Sequence, residues 1–365
     1  MTIEKYLGFS LILALVLSLS FAARLEACSV LRVTAQDGTI ISARTMEFGS
    51  DLKPDIVVIP RGREFISPDP AGQPGLKWKN KYGYVAVDAF GDTTGAVEGL
   101  NETGLAFSAL WYEEDTQYQK ILAGESGRAL AHALVGSWVL GNFSTVDQVK
   151  EGIKKVKVFG LVIPEMGGTP PLHFAVKDAA AGSIVIEYDQ GQLNIHDNPL
   201  GIMTNAPNFT WQMTNLRNYV GLSIEMPQPQ DFAGVTLRPT GHGMFGLPGD
   251  STPPSRFVRM AVMAHFADRV PDAKEALNMA QHLIYAVEII KGTLVDRDAQ
   301  GKIISSGSTQ WASFRDLTNR VFYYRTYDNF TLRQVDLKQL DFKTAKSIPL
   351  SGDPEAVIDL TGRLK

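Results

Sequence analysis

The stretch Leu7 to Cys28, LGFSLILALVLSLSFAARLEAC, decides how the rest of this chain is read. Leu7 to Ala23 is apolar and uncharged. It follows a short polar start and gives way to Arg24-Leu25-Glu26-Ala27 before Cys28. A run of about 17 apolar residues is marginal for a membrane span and has the proportions of a secretory leader. A cut after Ala27 would leave Cys28 as the first residue. Leu25 is large for the position three before such a cut, so cleavage after Ala22 or Ala23 with later trimming is the alternative. Cys28 is the single cysteine of the chain.

A cysteine at a new N-terminus carries a thiol nucleophile and a free amine on one residue, so the chain end can serve as its own base in acyl transfer. Two other readings stand beside this one. Leu25-Glu26-Ala27-Cys28 half matches a lipid-attachment signal, although Glu26 is awkward there. A lone cysteine is also commonly a small buried hydrophobe. Lipidation consumes the thiol, so the two functional readings exclude each other.

The 365 residues carry 35 Lys and Arg against 39 Asp and Glu, a net charge of −4. Lys5, Arg24, Glu4 and Glu26 leave with the leader, so the balance is unchanged. No basic block or aromatic-interleaved basic patch appears, which argues against nucleic-acid binding. One cysteine allows no intrachain disulfide, even though the leader implies export. The expected organisation is a removed leader over 1–27 and a single catalytic domain over 28–365. The expected location is the periplasm, with no stable membrane insertion after processing.

Val30 to Val33 reads as a strand, Asp37-Gly38 as a hairpin turn and Thr39 to Thr45 as the returning strand. Residues 60–80, rich in Pro, Gly and charge, read as a surface loop. Tyr82 to Ala89 and Gly104 to Tyr112 read as strands on either side of a turn at Asn101-Glu102-Thr103-Gly104. Helices are expected over Gly127 to Leu140 and from a Ser144-Thr145 cap to about Val156. Residues 160–171 read as a Gly/Pro-rich loop. Strands follow at His173–Val176 and Ser183–Tyr188, helices at 254–268 and 272–291, and strands at Thr309–Arg315, Arg320–Thr326 and Leu332–Val335. Strands, then helices, then strands without regular alternation predict an α+β fold with antiparallel sheets.

The six histidines, His132, His173, His196, His242, His265 and His282, show no metal-ligand spacing, and each reads as a capped or surface residue. Gly241 to Gly246 matches a Gly-x-Gly-x-x-Gly spacing, but it follows no clean strand and opens no helix, so it is not read as a dinucleotide site. No metal or organic cofactor is implied.

From Cys28 onward the chain resembles the choloylglycine hydrolase family, which includes conjugated bile salt hydrolases and penicillin V acylases. Cys28-Ser29 opens the resemblance. Ala43-Arg44-Thr45-Met46-Glu47-Phe48 follows, then Glu98 to Ala106 (EGLNETGLA), Gly201 to Pro207 (GIMTNAP) and Trp211 to Leu216 (WQMTNL). Gly246 to Arg259 (GLPGDSTPPSRFVR) is the most specific segment, and Thr309-Gln310-Trp311 and Tyr323 to Tyr327 close the match. The resemblance implies a four-layer αββα N-terminal-nucleophile hydrolase fold with two packed antiparallel sheets. It implies hydrolysis of a linear amide C–N bond through a thioester acyl-enzyme, a small-molecule N-acyl amide as substrate, and a homotetramer.

The same resemblance assigns roles. Cys28 attacks the carbonyl while its α-amine, ordinarily of pKa about 7.7–8.0, moves the proton. Arg44 is the cation beside the sulfur. Asn205 supplies an oxyanion donor. Arg256 orients the site. Read alone, Arg44 and Arg256 also suit surface salt bridges, and Asn205 suits a turn. Glu47 stands where most of the family has an aspartate that holds the N-terminal amine. Its extra methylene changes the carboxylate's approach and keeps open an inactive scaffold of the same fold. Trp111 stands where bile salt hydrolases carry an asparagine; its backbone N–H can still serve the oxyanion. Trp111 and Phe48 read either as an aromatic wall for a phenoxyacetyl or fatty acyl group or as core packing. The reading nearest this pattern is a penicillin V or acyl-homoserine-lactone acylase. Conjugated bile salt hydrolysis is the alternative within the family, and a lipid-anchored periplasmic binding protein acylated at Cys28 is the alternative outside it.

Overall fold

The hairpin expected around Asp37-Gly38 opens the fold. Ser29–Thr34 pairs antiparallel with Ile40–Phe48, and Gly38 turns the chain at φ +87°, a conformation that a side chain disfavours. The computed structural model describes residues 27–113, 115–241 and 243–351. All but Ala27 of the leader read over 1–27, together with Glu114, His242 and the chain end beyond 351, lies outside those residues.

Among the described residues two large sheets carry the molecule. The first has six strands and runs from Ser29–Thr34 through Ile40–Phe48, Ile303–Asp316 and Val321–Thr326 to Asn329–Asp336, with Leu294–Arg297 alongside Ile303–Asp316. The second has eight strands, with Ala106–Trp111 near its middle between Leu172–Lys177 and Glu98–Asn101. Both are antiparallel throughout. The helices Pro253–Phe266 and Ala273–Tyr285 cover the first sheet, and Val135–Asn142 packs on the second. This is the αββα layering of N-terminal-nucleophile hydrolases, an α+β fold.

Two apolar clusters fill the layers. One joins the facing sides of the sheets to the helices Pro253–Phe266 and Ala273–Tyr285; the other lies between the eight-stranded sheet and Val135–Asn142 with Val146–Ile153. Polar side chains also cross between the sheets. Arg44 donates to the Val97 and Ala109 carbonyls, Arg315 to the Phe107 carbonyl, and Lys177 returns to the Leu31 carbonyl. Arg315 further pairs with Glu98 at 3.1 Å. A buried charge removed from water needs such partners to persist.

Two expectations are corrected. Residues 60–80 form a hairpin rather than a loop, with Glu64–Pro68 paired to Pro74–Lys79. Its prolines sit at strand ends, where a missing N–H costs least, and Phe65 stacks on Trp78 at 5.0 Å. The helix expected over 127–140 is α-helical only over Val135–Asn142. Ala129–Ala131 instead pairs in parallel with Lys157–Phe159, so tertiary pairing overrides the helical spacing of Leu130 and Leu134. Gly136 in that helix sits against the neighbouring layer. A Cβ there would meet the Ala96 carbonyl oxygen at 2.3 Å and the Phe107 ring at 2.7 Å.

Candidate active site

Cys28 stands at the head of Ser29–Thr34, 3 % exposed, and the pairing of Ser29 with Thr45 brings the strand Ile40–Phe48 alongside it. Side chains alternate on that strand. Arg44, Met46 and Phe48 therefore share one face, and all three line the cavity that Cys28 also borders. Thr45 and Glu47 occupy the other face.

The sulfur has three near neighbours on this strand. Arg44 Nη2 is 3.8 Å away, Met46 Sδ 3.7 Å and the Glu47 backbone oxygen 4.0 Å. Arg44 is buried. Nη1 donates to the Val97 oxygen at 2.8 Å and Nη2 to the Ala109 oxygen at 2.6 Å. Neutral carbonyls fix the guanidinium without cancelling its charge, which stays available to the sulfur. Burial pushes the Cys28 thiol up; Arg44 pulls it down and Glu47 adds to the rise, with the balance upward.

The Glu47 carboxyl lies on the opposite face from Arg44. It accepts from Thr309 Oγ1 at 2.6 Å and from Thr45 Oγ1 at 2.9 Å. Burial pushes its pKa up to about 8, against the opposing pull of Arg256 and the two hydroxyls. Glu47 thus meets the sulfur through its backbone, and its carboxyl is held by hydroxyls.

Arg256, from the helix Pro253–Phe266, is a fork with three kinds of partner. Nη1 donates to the Cys28 carbonyl at 2.7 Å and to Ser29 Oγ at 2.6 Å, Nη2 donates to Asn205 Oδ1 at 2.7 Å, and Nε donates to the Ser251 carbonyl at 2.9 Å. Burial lowers its pKa to about 10, with Glu47 opposing. Asn205 Nδ2 in turn donates to the Trp111 carbonyl at 2.9 Å and keeps a second N–H. On the strand Ala106–Trp111 alternate residues address opposite neighbours. Ala109 N donates to Val97 O while Tyr112 N donates to Pro171 O. The Trp111 N–H therefore faces the side of its own carbonyl, where Asn205 sits.

Phe48 and Trp111 meet edge to face, with centroids 6.1 Å apart at 78°. They form part of the wall of a cavity of about 400 Å³. Of the residues singled out from the sequence, Arg44, Glu47 and Arg256 touch Cys28, Phe48 and Trp111 line its cavity, and Asn205 joins the group through Arg256 and Trp111. The surface salt bridges considered for Arg44 and Arg256 do not occur, because both side chains are fully buried.

Sequence reasoning missed two residues. His132 and His173, read as capped or surface residues, are buried and hydrogen-bonded. His173 holds the segment before Asn205, with Nε2 2.9 Å from the Thr204 carbonyl and Nδ1 3.1 Å from Glu187 Oε1. Burial raises Glu187, but hydrogen bonds from His173 and His196 prevail and bring it down to about 2. His132 lines the cavity itself. No spacing in the sequence marks either one; a histidine flanked by apolar residues was the only available signal. Among the described residues, no group of three or more His, Cys, Asp or Glu side chains is placed to hold a metal ion.

Residues 28–350 match the family model described as linear amide C–N hydrolases, choloylglycine hydrolase family. A bile salt hydrolase/transferase of Clostridium perfringens is 29 % identical over 320 residues, covering 86 % of this chain and 93 % of that protein. A penicillin V acylase of Pectobacterium atrosepticum is 28 % identical over 316 residues, covering 83 % of this chain and 78 % of that protein. A crystal structure of a variant of the conjugated bile acid hydrolase from Clostridium perfringens superposes with a TM-score of 0.78 at 27 % identity. It covers 91 % of this chain and 99 % of that one.

Proposed function

This chain belongs to the choloylglycine hydrolase family of linear amide C–N hydrolases, and on that premise we propose that Cys28, freed as the first residue, is the nucleophile of an acylase for aromatic or long aliphatic acyl groups. The observation that carries the acyl preference is the edge-to-face pair of Phe48 and Trp111 on the wall of the cavity that Cys28 borders. Planar apolar walls favour phenoxyacetyl and fatty acyl chains over a bulky rigid steroid.

The reaction follows from the groups around the sulfur. The Cys28 amine takes the thiol proton, and the sulfur adds to the amide carbonyl. The Asn205 amide N–H and the Trp111 backbone N–H face the developing oxyanion, which fixed neutral donors stabilise without a charge that would collapse onto the thiolate. The ammonium then protonates the leaving nitrogen, the C–N bond breaks, and a thioester remains. Water attacks the thioester with the amine again acting as base, releasing the acid and restoring the thiol. Arg44 offsets the burial that disfavours thiolate, and Arg256 positions both Cys28 and Asn205. Removal of the leader after Ala27 in an exported protein is part of this proposal.

A second reading, bile salt hydrolysis, draws on the match to the Clostridium perfringens enzyme over 93 % of its length. Assaying penicillin V, a long-chain acyl-homoserine lactone and glycocholate side by side decides between them. Higher kcat/KM on either of the first two supports the acylase. Glycocholate turned over most efficiently overturns the acyl preference and leaves the amide chemistry in place.

A further inference from the structure

The segment that carries Asn205 is held on both sides by one pair of buried side chains that takes no part in the proposed proton transfers. His173 stands on the strand Leu172–Lys177 and Glu187 on the adjoining strand Ser183–Asp189, and both are buried. His173 Nε2 lies 2.9 Å from the Thr204 carbonyl oxygen and Nδ1 lies 3.1 Å from Glu187 Oε1. The same Oε1 accepts the Phe209 N–H at 3.0 Å, at the first residue of the helix Phe209–Leu216. Asn205 stands between these two anchors.

The hydrogens follow from the partners. A carbonyl oxygen only accepts, so Nε2 carries a hydrogen and donates it to Thr204. Nδ1 and Oε1 then meet with a second hydrogen between them, since two facing lone pairs would repel. His196 Nε2 lies 3.4 Å from the other Glu187 oxygen. The His173 ring also stacks on Tyr112, with centroids 4.6 Å apart and planes 6° from parallel. Tyr112 follows Trp111, whose carbonyl takes the Asn205 amide N–H. The Thr204 carbonyl oxygen shares one rigid peptide plane with the Asn205 nitrogen and Cα. Fixing that oxygen therefore fixes the direction in which Asn205 leaves the backbone, while Arg256 holds its side-chain oxygen.

We propose that His173 is a positioning residue of the reaction: its Nε2–H holds the Thr204–Asn205 peptide so that the Asn205 amide meets the oxyanion, and Glu187 holds His173. This rests on the reading that Asn205 supplies an oxyanion donor. Without the imidazole N–H the Thr204 carbonyl loses its buried partner, and the peptide turns to find another. A donor displaced by a fraction of an ångström stabilises the transition state less while the bound substrate is little affected, so the effect falls on kcat.

Two amide variants isolate the donor from the ring. His173→Gln places an N–H near the Nε2 position, His173→Asn keeps polar atoms only near Nδ1, and both lose the stacking on Tyr112. Kinetics use whichever of penicillin V, a long-chain acyl-homoserine lactone and glycocholate the unaltered enzyme turns over fastest. His173→Asn is expected to lower kcat by about 10–100-fold with KM nearly unchanged, and His173→Gln to restore most of the loss. In an Asn205→Ala background the loss from His173→Asn should shrink to less than about threefold, because coupled residues are not additive. Amide hydrogen exchange over 205–209 should quicken in His173→Asn and stay near that of the unaltered protein in His173→Gln. Equal losses of kcat in the two variants would make His173 a packing residue and overturn the proposal. An undiminished loss in the Asn205→Ala background overturns it too, since His173 would then act apart from Asn205. A slow Asn205→Ala enzyme beside a normal His173→Asn one sinks the role of His173 alone. If Asn205→Ala leaves kcat intact, the oxyanion reading falls, and exchange decides whether His173 holds the segment: quickening confined to His173→Asn supports that hold, and unchanged exchange ends it.

Discussion

Arg256 sets which way the Asn205 amide faces. Its Nη2 donates to Asn205 Oδ1 at 2.7 Å, and a guanidinium can only donate, so the oxygen must face it and the amino group must face the Trp111 carbonyl. The same guanidinium holds the Cys28 carbonyl at 2.7 Å. Nucleophile and proposed oxyanion donor are thus referenced to one rigid fork.

Asn205→Ala is expected to lower kcat on the order of 10²–10³-fold, the loss typical of one oxyanion donor. Arg256→Lys keeps the charge but not the fork, and should lower kcat by about 10–100-fold as the charged hydrogen bonds to Asn205 and Cys28 are lost. Steady-state kinetics of both variants give the answer. A rise in KM with kcat intact would move Asn205 from the oxyanion to substrate binding.

Processing is tested by leaving one residue in place. A protein that keeps Ala27 before Cys28 has an amide nitrogen where the mechanism needs an amine, and should be inactive. Cys28→Ser should also lose most activity, since an alkoxide forms far less readily than a thiolate. Full turnover with mass-verified Ala27 retained would reject the N-terminal mechanism. A diacylglyceryl adduct on Cys28 of the exported protein would favour the lipid anchor.

Glu47 links stability to pH. Its pKa in the folded chain is pushed from 4.5 up to about 8 by burial, so between those values the folded state binds more protons than the unfolded one. Stability from this group is fully present below about pH 4.5 and is lost as pH rises through about 8. Glu47→Gln removes the titration. In proteins retaining Ala27, the Tm of the variant minus that of the unaltered protein should grow from pH 5 to pH 8. A constant difference across that range would show that Glu47 is ionised throughout.

Trp111→Ala is expected to reduce kcat/KM for penicillin V or a long acyl-homoserine lactone by roughly 1–3 kcal/mol of lost apolar contact. A short acyl substrate that does not reach the Phe48–Trp111 pair should be nearly unaffected. Thermal unfolding is measured in parallel. Equal losses on long and short substrates, together with a lowered Tm, would make Trp111 a packing residue only.

The sequence by itself determined the elements that depend on local chemistry. Asp37-Gly38 specified a tight turn, and with it the register that sets Ser29 opposite Thr45 and brings Arg44 and Glu47 beside Cys28. Thr145 capped its helix by accepting from Gln148 N, and Asn101 closed the following turn by accepting from Thr103 N and Leu105 N. The ordered motifs from Cys28 to Tyr327 specified the family and the residues to examine. Tertiary structure decided what depends on partners distant in sequence. Ala129–Ala131 became a strand because Lys157–Phe159 lies beside it, and the hairpin at 64–79 is stabilised by Phe65 stacking on Trp78. The surroundings of Glu47 were set by Thr309, 262 residues away, and those of Arg256 by Cys28, 228 residues away. His132 carried no signal in its spacing, since lining a cavity is a property of the packed fold around it. Turns and caps are fixed by a few neighbouring dihedrals and hydrogen bonds, whereas burial, pairing and desolvation exist only once remote segments have packed together.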